Sequence, residues 1–390
     1  MILKAFKYRL YPTEKQKEFL EKHFGSCRFV YNHFLALRRD TWQRNKQSIS
    51  GFECKRQLKN LKTEFPWLKD VNSQSLQDVV LNLEKAYRRF FKGFGGYPRF
   101  KTKNGFQSFA VPQNFRIEDD KLYIPKAKDG IKVKLHRAIN GIPGIATISK
   151  TPSGKYFVSI ISKTVTEKLP ITNRKIGVDL GLTHFATLSG GEKIEHPKTL
   201  LQSERLLKKL QRQLSRKEKS SRNRNKARLK VAKLNEKITN QRNDFLHKLS
   251  HRLINENQVI CLEDLNVKGM VRNRYLAKAI SDSGWGELCR QVQYKADWYG
   301  RTVKQIPRFY PSSKECSICR FVMSDLKLSR RTWTCPNCGT VHDRDDNASS
   351  IILSVGQGMP EITPVERMAS VSSILSMKQV NSKKQETLAS

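Results

Sequence analysis

Two pairs of cysteines in the last quarter of the chain constrain its fold more than any other feature. Cys316 and Cys319 form one CxxC pair, Cys335 and Cys338 form a second, and fifteen residues separate the two. Four thiolates at this spacing can occupy the corners of a tetrahedron, which suits Zn²⁺. Because the protein would supply all four ligands, we expect one structural zinc ion, with two disulfides or free thiols as the alternative.

The other four cysteines and the first residues of the chain indicate the cellular compartment in which the protein is expected. Cys27, Cys54, Cys261 and Cys289 stand among apolar residues and read as core positions. The first residues alternate apolar and basic side chains, and no stretch approaches the ~18 apolar residues of a membrane span. We therefore expect a soluble intracellular protein that does not contact a membrane and in which disulfides are disfavoured.

The charge balance indicates the kind of partner. The 390 residues include 74 Lys and Arg against 35 Asp and Glu, a net charge of +39. An excess of this size favours binding to a polyanion. The chain also holds 19 Phe, 11 Tyr and 5 Trp, which a disordered basic tail would lack. The composition predicts a nucleic-acid-binding protein of two or three domains with packed cores.

The front half shows helices between two sets of strands. Residues 4–11 alternate as a strand does, and Thr13 with Gln16 forms a capping box that opens a helix. A further helix is clearest at 73–92, and from 106 to 165 the period changes to two. We expect the first strand to join this later β unit, so that the helices are an insertion.

The second half alternates strands and helices. A strand ends at Asp179, a long helical region covers 199–256, and another apolar strand ends at Glu263. Between residues 200 and 255 there are 17 Lys and Arg against four acids, a net charge of +13. The polar stretch 215–228 indicates a break in that region. This pattern predicts an α/β unit with a strongly basic helical arm.

Three carboxylates occupy positions that suit metal binding. Asp179 and Glu263 end apolar strands, and Asp345 lies at the start of a short helix. Acidic groups clustered in a basic protein can hold two Mg²⁺ ions against phosphate. Taken singly, Asp179 could be a turn residue, and Asp345 could be an N-cap or a first-turn acid.

The order of several motifs resembles the TnpB (OrfB) family of transposon-encoded nucleases, relatives of the type V CRISPR effectors. In the second half the matching segments are Gly177-Val-Asp-Leu-Gly-Leu, Cys261-Leu-Glu-Asp-Leu-Asn-Val, Pro311-Ser-Ser-Lys and His342-Asp-Arg-Asp-Asp-Asn-Ala. In the front half they are Arg9-Leu-Tyr-Pro, Arg28-Phe-Val-Tyr-Asn, Leu83-Glu-Lys-Ala-Tyr and Tyr97-Pro-Arg-Phe-Lys. The resemblance covers about residues 1–355.

The resemblance implies a multi-domain α/β architecture. A wedge β-barrel with an inserted helical recognition lobe would precede an RNase H-like (RuvC) nuclease domain that contains a zinc ribbon. The expected bounds are a wedge strand at 1–12, the lobe at 13–104, the barrel at 105–170, the nuclease domain at 171–310 with its basic helical segment at 199–256, the ribbon at 311–340, the end of the nuclease domain at 341–355 and a flexible tail at 356–390.

The resemblance also assigns the metal-binding acids. The three catalytic, magnesium-binding positions of the family fall on Asp179, Glu263 and Asp345. Asp345 is preferred over its neighbours Asp343 and Asp346 because it alone fits the motif Asp-x-Asn-Ala. Arg320 departs from the glycine that usually follows the first cysteine pair, where glycine would permit a positive φ.

Nucleic-acid contacts are expected from the resemblance alone. Partners would be a guide RNA from the transposon end and a double-stranded target DNA, with no small-molecule substrate. The DNA motif is expected to meet the polar residues Ser75, Gln77, Gln113 and Asn114, and the basic arm is expected to contact phosphates through Arg216, Arg222, Arg224 and Arg228. A solvated helical hairpin is the alternative for the arm.

The function that the resemblance implies is an RNA-guided, Mg²⁺-dependent DNA endonuclease that cuts next to a short flanking motif. Such an enzyme would act in the cytoplasm of a prokaryote, close to the nucleoid. A transposase or accessory transposition protein, and a catalytically idle RNA-guided repressor, are the alternatives.

Overall fold

The computed structural model describes residues 1–327 and 329–359. Its internal contacts define two compact units, one covering Met1–Val165 and the other beginning at Thr166. The expected tail at 356–390 needs a correction at its start, because residues 356–358 belong to the last helix. Residues 360–390 of that tail lie outside the described residues.

The first unit contains a seven-stranded antiparallel sheet with the order β2-β6-β7-β1-β5-β4-β3. Its strands are β1 (Ile2–Tyr11), β2 (Gln107–Val111), β3 (Arg116–Glu118), β4 (Lys121–Tyr123), β5 (Ile131–Lys134), β6 (Ile142–Lys150) and β7 (Tyr156–Thr164). Strand β1 pairs with both β5 and β7. The helices are therefore an insertion within a β unit, as the change of period predicts.

Three helices fill the insertion. They are α1 (Glu14–Asn45), α2 (Gly51–Glu64) and α3 (Ser73–Phe91), with a short 3-10 helix at Pro66–Asp70. The capping box of Thr13 and Gln16 is present at the start of α1. Phe6, Tyr8 and Leu10 alternate into the same core that the buried faces of these helices enter, so burial of one apolar surface holds sheet and helices together.

The second unit contains a mixed five-stranded sheet with the order β10-β9-β8-β11-β12. Its strands are β8 (Lys175–Asp179), β9 (Ala186–Leu188), β10 (Lys193–Ile194), β11 (Val259–Glu263) and β12 (Thr302–Ile306), and a separate hairpin consists of β13 (Thr332–Thr334) and β14 (Val341–Asp343). Strand β11 runs parallel to both β8 and β12. The carboxyl ends of these strands therefore meet at one edge of the sheet.

The helices of the second unit are α4 (Thr199–Ser215), α5 (Arg222–Glu256), α6 (Val267–Met270), α7 (Ala277–Ser283), α8 (Trp285–Tyr299) and α9 (Arg344–Gly358). The predicted break in the basic arm lies between α4 and α5, where Ser221 caps α5. Helix α9 packs closely on β8: a Cβ atom on Gly177 would lie 2.1 Å from the Ser349 carbonyl oxygen. Glycine at this position brings the helix onto the strand that carries Asp179.

The boundary between the units lies earlier than the expected one at residue 170. The backbone N–H of Leu169 donates to the Tyr299 carbonyl, and Arg301 donates to the Pro170 carbonyl. These bonds attach the segment to the second unit. Among residues 1–327 and 329–359, no helix combines the length and apolar character that crossing a membrane requires.

Candidate metal centres and catalytic edge

The four cysteines of the CxxC pairs converge in the second unit. Their sulfur atoms all lie within 4.8 Å of one another, with Cys316 and Cys338 3.7 Å apart and Cys319 and Cys335 3.5 Å apart. Zn–S bonds of about 2.3 Å in a tetrahedron place sulfurs about 3.8 Å apart. The residues therefore fit a structural Zn²⁺ site, and the spacing prediction is confirmed as a four-cysteine cluster.

Backbone hydrogen bonds shape both cysteine turns in the same way. The N–H of Arg320 donates to the Cys316 carbonyl, and the N–H of Gly339 donates to the Cys335 carbonyl. Both residues have positive φ, 65° at Arg320 and 73° at Gly339. Arg320 adopts the conformation that glycine would favour here, and its guanidinium is held by Glu315 at 3.0 Å. Loss of the glycine therefore leaves the turn intact.

Neighbouring groups act on the thiols. A hydrogen bond from Asn337 lowers the pKa of Cys319 to about 6, and a hydrogen bond with Thr340 lowers the pKa of Cys338. Burial raises the pKa of Cys316, but the His342 ring nitrogen lies 3.1 Å from its sulfur. Hydrogen bonds at Cys319 and Cys338 thus favour the thiolate form that a metal binds.

Asp179 and Glu263 lie side by side at the carboxyl edge of the parallel strands. Each is the last residue of its strand, and the pairing of Leu262 with Val178 sets the two ends next to each other. The Ser312 hydroxyl donates to the Glu263 carboxylate at 2.5 Å. The predicted placement of both acids at strand ends is confirmed.

Burial raises the pKa of both side chains, and at Asp179 the neighbouring carboxylates add to the effect of burial. Burial, the Glu263 carboxylate and the Asp345 carboxylate together raise the pKa of Asp179 to about 8. Burial also raises the pKa of Glu263, against the hydrogen bond from Ser312. Within the described residues, the carboxylates of Asp179, Glu263 and Asp345 do not form a group whose oxygens all lie within 4.8 Å. The edge is therefore an acidic cluster that repels itself in the absence of a cation.

Asp343, Asp345 and Asp346 at the start of α9 make different contacts. Asp343 is the N-cap, and its carboxylate accepts the backbone N–H groups of Asp345 at 3.0 Å and Asp346 at 3.2 Å. Lys193 on β10 contacts Asp343 at 2.8 Å and Asp346 at 3.7 Å. One Asp346 oxygen is buried without a hydrogen-bond partner among the described residues. The capping role that Asp345 could have had thus belongs to Asp343.

Arg331 contacts Asp345, and the sequence pattern did not single this arginine out. Its Nη1 donates to the Asp345 carboxylate at 3.1 Å, while its Nη2 donates to the Thr183 hydroxyl at 3.2 Å. Arg331 lies between the two cysteine pairs, a stretch without periodicity. The sequence places Arg331 within the expected ribbon at 311–340, but this position does not specify a contact with α9.

Asn347 joins the cysteine cluster to the helix that carries Asp345. Its amide nitrogen donates to the Glu315 carbonyl at 2.7 Å, and its amide oxygen accepts the Ser317 N–H at 2.9 Å. The side chain is buried. One residue of the Asp-x-Asn-Ala motif therefore fixes the first cysteine turn against α9.

The residues expected to face DNA differ in exposure. Gln113 and Asn114 are exposed, Gln77 is half-buried, and Gln113 accepts a hydrogen bond from Gln74 at the start of α3. Ser75 is fully buried, so its hydroxyl faces the interior of the unit, and the expectation of a DNA contact there is wrong for this structure. Ser75 shares the helix face of Val79, four residues later, and that spacing was a signal against exposure.

The basic arm presents three of its four predicted arginines to solvent. Arg216, Arg222 and Arg228 are exposed. The Arg224 guanidinium instead donates to the Leu214 and Lys217 carbonyls at 3.0 and 2.8 Å, which satisfies the C-terminal end of α4. Arg224 therefore stabilises the turn between the two helices.

The fold and the cysteine cluster define an α/β protein with a zinc-ribbon-type metal site. A family model described as "Probable transposase" (OrfB_IS605) matches residues 158–274, and the helix-turn-helix domain model of the same family matches residues 1–47. The TNB domain model of the Cas12f1-like proteins matches residues 285–352. Together these matches extend over both units.

Two relatives match over most of their length, and both are named "Putative RNA-guided DNA endonuclease". The protein of Streptomyces pristinaespiralis is 39% identical over 91% of this chain and 90% of its own length. InsQ of Escherichia coli K12 is 31% identical over 92% of this chain and 93% of its own length. This chain therefore belongs to the TnpB (OrfB) family.

A solved structure gives a weaker likeness. The cryo-EM structure of the Cas12f1-sgRNA-target DNA complex covers 90% of this chain and 99% of that chain, with a TM-score of 0.35 and 14% sequence identity. That similarity is too low to support an argument about fold or activity.

Proposed function

We propose that this protein is an RNA-guided, Mg²⁺-dependent DNA endonuclease encoded by a transposable element, which cleaves target DNA next to a short flanking motif. The observation that carries the proposal is the pair of repelling carboxylates, Asp179 and Glu263, at the adjacent ends of parallel strands. The two relatives named as RNA-guided DNA endonucleases support the same activity. Residues 171–310 and 341–355 would form an RNase H-like (RuvC) nuclease domain around the ribbon.

The residues present fit magnesium. Asp179, Glu263 and Asp345 offer hard carboxylate oxygens, which Mg²⁺ prefers, and no soft ligand stands among them. The raised pKa of Asp179 has repulsion from the other two carboxylates among its causes, and a divalent cation would relieve it. Two bound Mg²⁺ ions would supply Lewis-acid stabilisation of the charge that develops during phosphodiester hydrolysis.

The protein's own residues have separate tasks in this proposal. Asp179 and Glu263 would hold the cations from the sheet, and Asp345 would hold them from the first turn of α9. Ser312 orients Glu263 through its hydroxyl. Asp343 is excluded from the metal set because its carboxylate caps α9 and pairs with Lys193.

The net charge of +39 supports two polyanionic partners, a guide RNA from the transposon end and a double-stranded DNA target. Base pairing with the guide would select the target sequence, so that the protein holds the heteroduplex by its backbone. Exposed arginines on the basic arm, among them Arg216 and Arg222, are suited to phosphate contacts. This activity belongs in the cytoplasm of a prokaryotic cell, near the nucleoid.

The test is guide-directed cleavage. RNA that co-purifies with the protein from its native host is sequenced, and its guide segment is then replaced by one that matches a chosen plasmid site. We expect Mg²⁺-dependent cleavage at the chosen site and none at the original one. Purification without any bound RNA, or cleavage that does not follow the new guide, would contradict the proposal.

A further inference from the structure

A cavity of about 230 Å³ lies in the second unit, outside the acidic edge. Its wall is largely apolar and includes Leu182, Leu200 and Leu201. Tyr275 also lines the cavity yet is 95% exposed, so the side chain stands at the mouth. Such exposure of an aromatic residue beside an apolar hollow leaves one face available for a planar ligand.

One short loop separates this cavity from the acidic edge. Leu182, which lines the cavity, follows Asp179 on the loop after β8. The next residue, Thr183, accepts the hydrogen bond from Arg331, and Arg331 in turn contacts Asp345. The loop after β8 therefore contributes both to the cavity wall and to the contacts of the acidic edge.

Asp282 lines the cavity, and its carboxylate already accepts two hydrogen bonds from the start of α4. One of its oxygens accepts from the Thr199 hydroxyl and the other from the Leu200 N–H, both at 3.1 Å. These bonds fix the start of α4 against α7. The Asp282 carboxylate therefore joins α4 and α7 in the wall of the cavity.

His196 is likewise committed to the wall. Its Nδ1 accepts the Lys198 N–H at 2.9 Å, so its Nε2 carries the proton and donates to the Ser283 hydroxyl at 2.9 Å. Burial lowers the pKa of His196, which favours this neutral form. Since His196 and Asp282 are already bonded within the protein, the cavity suits a ring by shape and apolar contact.

Two ammonium groups stand at the cavity, on Lys198 and Lys278. Lys278 forms an ion pair with Glu204, whereas Lys198 has no ion pair within residues 1–327 and 329–359. The arm that begins here is also strongly basic, with a net charge of +13 between residues 200 and 255. The charge around the cavity thus favours a ligand that carries phosphate.

We propose that this cavity binds one unpaired nucleobase of the strand being cleaved, with Tyr275 stacked on the base and Lys198 at an adjoining phosphate. The inference rests on the proposed nuclease function and extends it to a substrate subsite. The volume is below the ~300–1,000 Å³ of sites for drug-sized ligands, which matches a single ring system. Stacking on an aromatic side chain tolerates any base, so the subsite positions the strand without selecting sequence.

The test uses the full-length protein and a short single-stranded DNA that carries one 2-aminopurine, in Ca²⁺ so that the strand stays intact. We expect wild type and Tyr275→Phe to quench the fluorescence of the base. Tyr275→Ala should lose the quenching and weaken binding by about tenfold, in line with the usual contribution of one stacked base. Lys198→Ala should keep the quenching and reduce the salt dependence of binding by about 0.7 in logarithmic slope, the value for one phosphate contact on a single strand.

Ile171→Ala is the control for loss of an exposed apolar side chain in the same unit. Ile171 is 87% exposed and precedes β8, at the opposite end of that strand from Asp179. The proposal would be overturned if Tyr275→Ala quenched the 2-aminopurine fluorescence and bound the DNA as well as Ile171→Ala does. A strong preference of the wild-type protein for one base would also overturn it. Guide-directed cleavage is measured separately: its absence in the wild type would refute the nuclease function, while the fluorescence would still decide on the cavity.

Discussion

The cysteine cluster and the acidic edge lie in the same unit, but only the cysteines are already arranged as metal ligands. The four sulfurs already stand within 4.8 Å of one another, in turns closed by their own backbone hydrogen bonds. Burial, together with repulsion from the Glu263 and Asp345 carboxylates, raises the pKa of Asp179 to about 8, and Arg331 forms an ion pair with Asp345. The fold already places the four thiols of the structural site around a metal position. At the acidic edge, by contrast, the fold holds carboxylates near one another although they repel.

Asn347 links the two clusters. Its amide binds the backbone on both sides of Cys316 while its backbone belongs to α9, two residues after Asp345. The rigid cluster thus supplies the positional support that the repelling cluster lacks. This division of labour leads to predictions that differ in size for the two clusters.

The largest effect is expected at the acidic edge. Asp179→Ala or Glu263→Ala should lower the rate of guide-directed cleavage by about a thousandfold or more, because metal Lewis acids contribute several kcal/mol and about 1.4 kcal/mol is a tenfold change. Binding of RNA and DNA, measured by filter retention, should stay within a few-fold of wild type. Asp264→Asn removes the neighbouring carboxylate, which pairs with Arg308, and should retain most activity.

Loss of the zinc ligands should act next most strongly, through structure. Cys316→Ser with Cys335→Ser should abolish the one bound zinc and open the ribbon, since binding of structural zinc is worth about 10–16 kcal/mol of folding free energy. Metal analysis and trypsin cleavage between the cysteine pairs measure both effects. Cys289→Ser, outside the cluster, should keep the zinc; equal zinc content in the two variants would contradict the assignment.

Stability should respond to pH in opposite directions at two aspartates of the edge. The folded protein keeps the Asp179 proton up to about pH 8, while the unfolded chain loses it near pH 4, so this group reduces stability as pH rises through that window. In metal-free protein Asp179→Asn should therefore raise Tm by a few degrees at pH 8 and have little effect near pH 4. Calorimetry in a chelator measures the shift.

Asp343 provides the opposite case. Its pKa is lowered, despite burial, by the hydrogen bond from Lys193 and by the backbone N–H groups that it caps, so its stabilisation is present at neutral pH and lost in acid. Asp343→Ala should lower Tm by about 2–4 °C at pH 7, the usual result of losing about 1 kcal/mol at an N-cap. A rise in Tm with Asp343→Ala at pH 7 would contradict a stabilising role for ionised Asp343. A fall in Tm with Asp179→Asn at pH 8 would contradict a destabilising role for ionised Asp179.

The smallest effect concerns Arg320 in the first cysteine turn. Its positive φ of 65° costs about 1–2 kcal/mol in a residue other than glycine, and its ion pair with Glu315 offsets part of that cost. Arg320→Gly should leave stability within about 1 kcal/mol of wild type, whereas Arg320→Ala keeps the strain and loses the ion pair. In competition with a zinc chelator, Arg320→Ala should bind zinc more weakly than both the wild type and Arg320→Gly.

Regular patterns in the sequence predicted the frame of both units. Alternation in the first strand, the capping box at Thr13 and the strand ends at Asp179 and Glu263 all depend on neighbours in the chain, so they can be read without the fold. The four cysteines are equally local in spacing. For these features the structure confirms the predictions.

Features that depend on distant pairing escaped the sequence. Arg331 of the ribbon contacts Asp345 on α9, and Lys193 on β10 contacts Asp343 at the N-cap of α9, 150 residues later. A DNA contact at Ser75 was expected from the resemblance, but the helix face that Ser75 shares with Val79 is buried. Helix propensity and residue type do not encode which side chain meets a partner 150 residues away.

The most direct test of the central claim is to count Mn²⁺ ions, as a spectroscopic substitute for Mg²⁺, on the guide-loaded protein with target DNA. Electron paramagnetic resonance should find two bound Mn²⁺ ions in the wild type and in Cys289→Ser, and neither ion in Asp179→Ala with Glu263→Ala, while zinc content stays unchanged. Mn²⁺ binding that survives the loss of both carboxylates would contradict the account.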